Sequence, residues 1–245
     1  GMQPSGARDP FALRRTAVGL VQLLVTRGLR VDLRRWLEVA GRKLPIAFPD
    51  EALGACLQFI AARQEALLLA EGRRYDVVAA VLQAQRYDPA GAAGAVVEME
   101  AAVADAGWPP VLQAYARCAR ILPRPASKDS KEGRGMVPRP TSKDSGEGRG
   151  ITRAQKVGGP VDSKLFEMEA ERALYAAVED IRRPAESVGE LVRSLQALVP
   201  PITEFFDKVL VMDEDKAKRA NRLALVQRVV ALADGIADLS RLEGF

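Results

Sequence analysis

Apolar residues recur along most of this chain at three- and four-residue steps, the spacing of one buried helical face. Leu13, Ala17, Leu20 and Leu24 set the first such face. Asp9 is its expected N-cap, Pro10 its first helical residue, and Gly28 its stop. Further helices are predicted from the runs DLRRWLEVAGRKL, DEALGACLQFIAARQEALLLAEG and YDVVAAVLQAQ, and from two segments across 89–122 that break at GWPP. Beyond residue 162, Leu174, Val178 and Ile181 line a face that Pro184 ends. Ser187 and Glu190 have the spacing of a capping box for the next helix, which Pro200 and Pro201 are expected to break and restart. The restarted helix carries Phe205, Phe206 and Val209, and an apolar VLVM connector follows. Asp213, Glu214 and Asp215 then favour the start of a last helix, expected to reach about Leu242 and to bury Leu223, Val226, Val230 and Ala233. Bounded runs alternating with period two are absent, so the expected class is all-α, built of helical bundles.

One segment interrupts this pattern. LPRPASKDSKEGRG from Leu122 is nearly repeated as VPRPTSKDSGEGRG from Val137, a period of 15 residues rich in Pro, Gly, Ser and charge. Such a composition buries too little apolar area to offset the ordering of its backbone. The expected organisation is therefore a helical region over 1–122, a flexible duplicated linker over 123–162 and a second helical domain over 163–245. Residues 123–160 hold nine Lys and Arg against four Asp and Glu, whereas the whole chain is only +4, so the basic character belongs to this segment. It is either a solvated spacer or a basic arm attracted to RNA phosphates.

Composition narrows the chemistry. The 245 residues, 48% of them hydrophobic, are enough for one or two cores. No histidine is present, which removes Ser/His/Asp and Cys/His machinery and leaves zinc coordination with little to use. Cys56 and Cys118 read as two buried small hydrophobes in a reducing cytosol. There is no phosphate-binding loop or GxGxxG, and the acids are scattered as i, i+4 partners on solvated faces, so neither catalytic nor metal-binding residues are expected. Runs such as LVQLLV and ALLLA are soon interrupted by charge, and the first residues lack the pattern of a secretory signal; the expectation is a cytoplasmic chain with no membrane partner.

Two distant stretches carry a resemblance. FFDKVLVMDEDKAKRANRLALVQRVVALADGIADLSRL, from Phe205, resembles the C-terminal segment of the bacterial glycyl-tRNA synthetase beta subunit, with its pattern FFD-x-V-x-V-M, an acidic pair, R-x-NRLALL and ADLS-x-L. PSGARDPFALRRTAVGLVQLL, from Pro4, is similar to a motif that lies well inside that family's chain, and EGRRYDVVAAVL and LFEMEAERALY match it in the same order. The resemblance covers nearly all of residues 4–242, with the duplicated linker as the main departure, and implies a C-terminal fragment whose first 122 residues correspond to the end of the subunit body. Gly1 reads as a foreign remnant. In that family a separate alpha subunit carries the active site for glycine and ATP. The beta subunit binds tRNA, and its last domain resembles the helical anticodon-binding domain of arginyl-tRNA synthetase. The resemblance thus implies a part of a glycine-tRNA ligase that holds no cofactor itself while the holoenzyme uses ATP, with glycine tRNA and the alpha subunit as partners. A helical scaffold that docks onto other subunits without anticodon specificity is the alternative.

Unpaired bases are read by stacking on aromatic or arginine planes, with Lys and Arg on phosphates. The candidates on that ground are Arg172, Tyr175, Phe206, Lys208, Lys216, Lys218, Arg219 and Arg222, with Arg228 completing a basic cluster. Lys218 and Arg222 are four apart and are expected to share an open face. Arg219 either joins them or closes an ion pair with Asp215, and Tyr175 either stacks on a base or completes the core. Of Phe205 and Phe206, about 100° apart on a helix, at most one fits the core squarely. For Arg14 and Arg15 the alternatives are a tRNA backbone contact or an internal salt bridge that docks the helix on the part of the subunit that precedes it in the family.

Overall fold

The computed structural model describes residues 9, 11–123 and 160–245; the expected linker lies almost wholly outside them. Among the described residues there are nine α-helices and no strands, in agreement with the expected class.

Helix α1 spans Leu13–Thr26. Asp9 caps it from one turn further out than expected: its carboxylate accepts from the backbone N–H groups of Leu13 and Arg14 at 2.8 and 2.9 Å. Pro10 lies outside the described residues. Gly28, at φ 61°, ends the helix as predicted, and Leu29 N–H bonds back to the Leu24 carbonyl at 2.9 Å. Helix α2, Leu33–Gly41, is capped by Asp32, and Gly41 lets the Phe48 ring lie against the helix where any Cβ would collide with it.

Helix α3, Asp50–Ala70, turns Leu53, Leu57, Ile60, Gln64 and Leu68 inward. By length and composition alone its 21 residues are enough to cross a membrane, although Arg63 and Glu65 interrupt the run with charge as the sequence shows. Its inward face packs on α1, with Ala17, Val21 and Leu24 opposite Leu53, Leu57 and Ile60 in a small core.

Helices α4 (Tyr75–Gln85), α5 (Pro89–Ala104) and α6 (Trp108–Ile121) belong to a second, larger core. Asp88 caps α5 ahead of Pro89, and the GWPP segment separates α5 from α6 as the sequence predicts. Helix α4 is apolar nearly all round and has Val77, Val78, Ala80 and Val81 fully enclosed, the pattern of a central helix.

The same core takes in α7 (Glu169–Glu179), α8 (Val188–Lys208) and α9 (Lys216–Val230). Helix α8 lies against α7, α6 and α5, placing Leu191, Leu195, Leu198, Ile202 and Phe205 at the centre beside Met99, Leu174 and Leu225. Helices on both sides of the duplicated segment therefore share one interior.

Two helix boundaries differ from expectation. Pro200 and Pro201 do not break α8, which runs on to Lys208. The two hydrogen bonds they cannot donate would have gone to the carbonyls of Gln196 and Ala197, both exposed residues that water can serve. Helix α9 stops at Val230 rather than near Leu242. A 3-10 turn at Ala231–Ala233, Gly235 at φ 78° and a second 3-10 turn at Leu239–Arg241 fold the end of the chain back over α4. There Asp238 N–H reaches the Ala80 carbonyl at 2.9 Å and Gln85 Nε2 donates to the Ile236 carbonyl at 2.8 Å.

Candidate tRNA interface

The corner between α8 and α9 gathers most of the candidate residues. Phe205 is fully buried while Phe206, edge-on to it at 5.4 Å, is half-buried, as the helical spacing requires. The guanidinium of Arg117 covers the Phe206 ring at 4.9 Å and pairs with Asp207 at 3.2 Å. In the connector Val209 and Val211 point inward, whereas Leu210 and Met212 are exposed, so only alternate residues of VLVM pack. Asp215 then caps α9, accepting from Ala217 and Lys218 N–H at 2.8 and 3.3 Å.

Arg222 is not on the surface, which corrects its place on an open basic face. Its side chain is 4% exposed and its guanidinium is spent on four acceptors. Nε donates to Glu171 at 2.8 Å, Nη1 to Asp213 at 2.6 Å and to the Leu210 carbonyl at 3.0 Å, and Nη2 lies 3.5 Å from Glu167. A buried charge is tolerated only when paired and hydrogen-bonded, and Glu171 and Asp213 supply that pairing. Burial pushes the Glu171 carboxyl upward, but Arg222 and the N–H groups of Met168 and Glu167 outweigh it and hold the group below its ordinary value. Asp213 is held low by Asp215 N–H and then by Arg222.

The neighbouring cations are also occupied. Lys218 Nζ donates to Glu167, Lys208 to Glu204 at 2.6 Å, and Arg228 to Glu179 at 2.6 Å. Arg219 reaches the Asp213 carbonyl at 3.5 Å and makes no ion pair with Asp215. Arg172 donates to the Phe166 carbonyl at 2.9 Å and lies 3.6 Å from Glu169. Tyr175 is half-buried, tilted against Phe166 at 5.4 Å, with the Arg228 guanidinium 5.6 Å above its ring. Lys216, exposed at the start of α9, has no ion pair among the described residues. Of the expected cluster, Lys218, Arg222 and Arg228 bridge separate elements, Lys208 and Arg172 pair within their own helices, and Lys216 and Arg219 form no ion pair among the described residues. Arg15 is exposed and Arg14 half-buried at the start of α1.

Two residues outside the candidate set do much of the positioning. Glu171 links the entry of α7 to α9. Asn221, buried in α9, accepts from Asp162 N–H at 2.7 Å and donates to its carbonyl at 3.0 Å, pinning the chain as it enters α7. The adjacent Asn and Arg of NRLAL were the available signal, since both side chains prove to be turned inward. Of the cysteines, Cys118 is buried and Cys56 exposed, so the expectation of two buried thiols holds for one. No group of acids and cysteines able to hold a metal ion occurs among the described residues.

These clamped helices, joined by a connector whose Leu210 and Met212 are exposed, form an all-helical module, and residues 150–239 match the DALR anticodon binding domain. Residues 1–83 match the glycyl-tRNA synthetase beta subunit. The chain belongs to that beta-subunit family of aminoacyl-tRNA synthetases and corresponds to its C-terminal part. It is 34% identical over 249 residues to the glycine–tRNA ligase beta subunit of Rhodospirillum centenum, covering 99% of this chain and 32% of that protein. With the same subunit of Magnetococcus marinus the identity is 34% over 258 residues, 99% and 33% of the two chains. It is 33% over 248 residues with glycine–tRNA ligase, chloroplastic/mitochondrial 2, of Arabidopsis thaliana, covering all of this chain and 21% of that one. The chain spans a third or less of the length of these relatives.

Proposed function

We propose that this chain binds the anticodon arm of a glycine tRNA in the cytoplasm and contributes specificity to a ligation completed, with ATP, on a separate catalytic alpha subunit. The observation that carries the reading is the anticodon-binding match over 150–239, which coincides with the α7–α9 unit and its interhelical clamps. Chemistry within the chain is not required: Glu171, Asp213, Lys218 and Arg222 at the α8–α9 corner are consumed in structural pairs. On the RNA-facing side, Lys216 supplies a phosphate contact, while Leu210 and Met212 offer apolar area beside which bases can lie.

The test is equilibrium binding of a glycine tRNA to the full chain across a salt series. Micromolar or weaker binding that salt strongly weakens is expected, and replacing either cytosine at the last two anticodon positions should cost about 1–3 kcal/mol. Equal binding of every anticodon would remove the specificity claim.

A docking role has its own support. Phe11, Trp36, Val39 and Ile46 are exposed around α1 and α2, away from the α7–α9 unit, and such apolar area suits a protein contact. Mixing the chain with the alpha subunit alone separates that role from RNA binding.

A further inference from the structure

Three arginines line the cleft between the end of α7 and the start of α8, and they differ from the clamping cations of this unit. Lys208, Lys218, Arg222 and Arg228 are each neutralised by an acid. Arg182, Arg183 and Arg193 are exposed and have no ion pair or hydrogen bond among the described residues. They line a cleft of about 700 Å³ with Ile181, Ala185 and Leu198 at its floor. The loop that carries Arg182 and Arg183 is anchored rather than free: Ile181 and Ala185 pack on the core, and Ile181 N–H bonds to the Val178 carbonyl at 3.2 Å. Asp180 and Glu190 also line the cleft, yet neither pairs with an arginine, and Glu190 is engaged by Glu186 N–H at 2.9 Å.

Water solvates these exposed guanidinium groups, so they need no partner, but three of them held on an anchored surface concentrate positive charge that an anion in the cleft can meet. Their planar forks suit the oxygens of phosphodiesters better than a point charge would. We infer that Arg182, Arg183 and Arg193 form a phosphate-binding cleft that holds the RNA backbone. The inference rests on the proposed tRNA-binding role. Arg193 is 15 positions before Lys208 on α8, so the cleft is about 22 Å along the helix from the α8–α9 corner. It is therefore a second contact, one that positions the RNA without reading its sequence.

The experiment compares the full chain with a triple variant, Arg182→Gln, Arg183→Gln and Arg193→Gln, in glycine-tRNA binding across a salt series. The control removes the same charge elsewhere, through Arg35→Gln, Arg42→Gln and Lys43→Gln, three exposed residues at α2. The cleft variant should bind at least about tenfold more weakly, with the slope of log affinity against log salt shallower by about two to three. The loss should be equal for glycine tRNA and its anticodon-substituted form, the control should change less, and thermal unfolding of both variants should match the parent. If the parent binds tRNA and the cleft variant keeps its affinity and slope, or the control loses as much, the cleft assignment is wrong and the proposed function stands. If the parent binds no tRNA, both fall together.

Discussion

Arg222 Nε donates to the Glu171 carboxylate at 2.8 Å in a place where the arginine side chain is 4% exposed and the glutamate wholly enclosed. This pair ties the first turn of α7 to the middle of α9, and Asp213 and the Leu210 carbonyl join the connector to the same guanidinium. Removing one partner of a buried pair leaves the other charge uncompensated, at a cost of about 3–5 kcal/mol. Arg222→Met should therefore lower stability by that order in denaturant unfolding. A variant that unfolds like the parent and loses only tRNA affinity would instead make Arg222 a direct RNA contact.

The same cluster predicts acid sensitivity. Glu171, Asp213 and Asp76 are all held below their ordinary values. For Asp76, burial pushes upward, but hydrogen bonds from Arg74 and from the N–H groups of Glu243 and Val77 outweigh it. A carboxyl with a lowered folded value stabilises the fold fully above its unfolded value, near 4, and the contribution disappears as pH falls through the folded value. The thermal midpoint should thus be level from about pH 8 to 5 and drop below about pH 4. Glu171→Gln should flatten that drop while lowering the midpoint at neutral pH. An unchanged acid limb in this variant would remove Glu171 from the account.

Why the fold class was legible and the site was not follows from the range of the interactions. The three- and four-residue steps that predict α1, α3 and α4 are local, as are the stops at Gly28 and GWPP, and the structure keeps them. Lys218 and Arg222 look like an exposed pair because they are four apart, but their partners Glu167 and Glu171 lie 51 residues away in sequence and become visible only when α7 meets α9. Likewise nothing local in VVALADGIADLS shows that its end is drawn onto α4 by Asp238 and Gln85. The prolines of α8 misled for the opposite reason: a valid local rule was overridden by the burial of Leu198 and Ile202 on either side of them.

That override should be measurable. Pro200 is exposed, and within α8 its ring excludes a hydrogen bond and crowds the carbonyl four residues earlier. Pro200→Ala restores the donor at the expense of a more flexible unfolded chain. A gain of about 1–2 kcal/mol in stability is expected, after that offset. A loss of stability on this substitution would show that the proline ring itself is packed.

Asn221 provides a more local readout. The residue is 5% exposed and both of its amide groups are given to the backbone of Asp162, so its two bonds close like one rung of a ladder. Asn221→Ala leaves that backbone N–H and carbonyl without their protein partner, costing about 1–3 kcal/mol. The Asp162 amide should then exchange with solvent much faster, while amides in α4, which Asn221 does not touch, keep most of their protection.

The two cysteines make the burial pattern testable without changing the chain. Cys118 is fully enclosed in α6, and burial pushes its thiol up to about 12, so the reactive thiolate is almost absent at neutral pH. Cys56 is exposed on α3. Iodoacetamide applied to the native protein at pH 8 should modify Cys56 alone, and Cys118 should react once denaturant opens the core. Comparable native labelling of the two would mean that α6 does not stay packed between α8 and α9, and the shared interior described for the two halves of the chain would have to be given up.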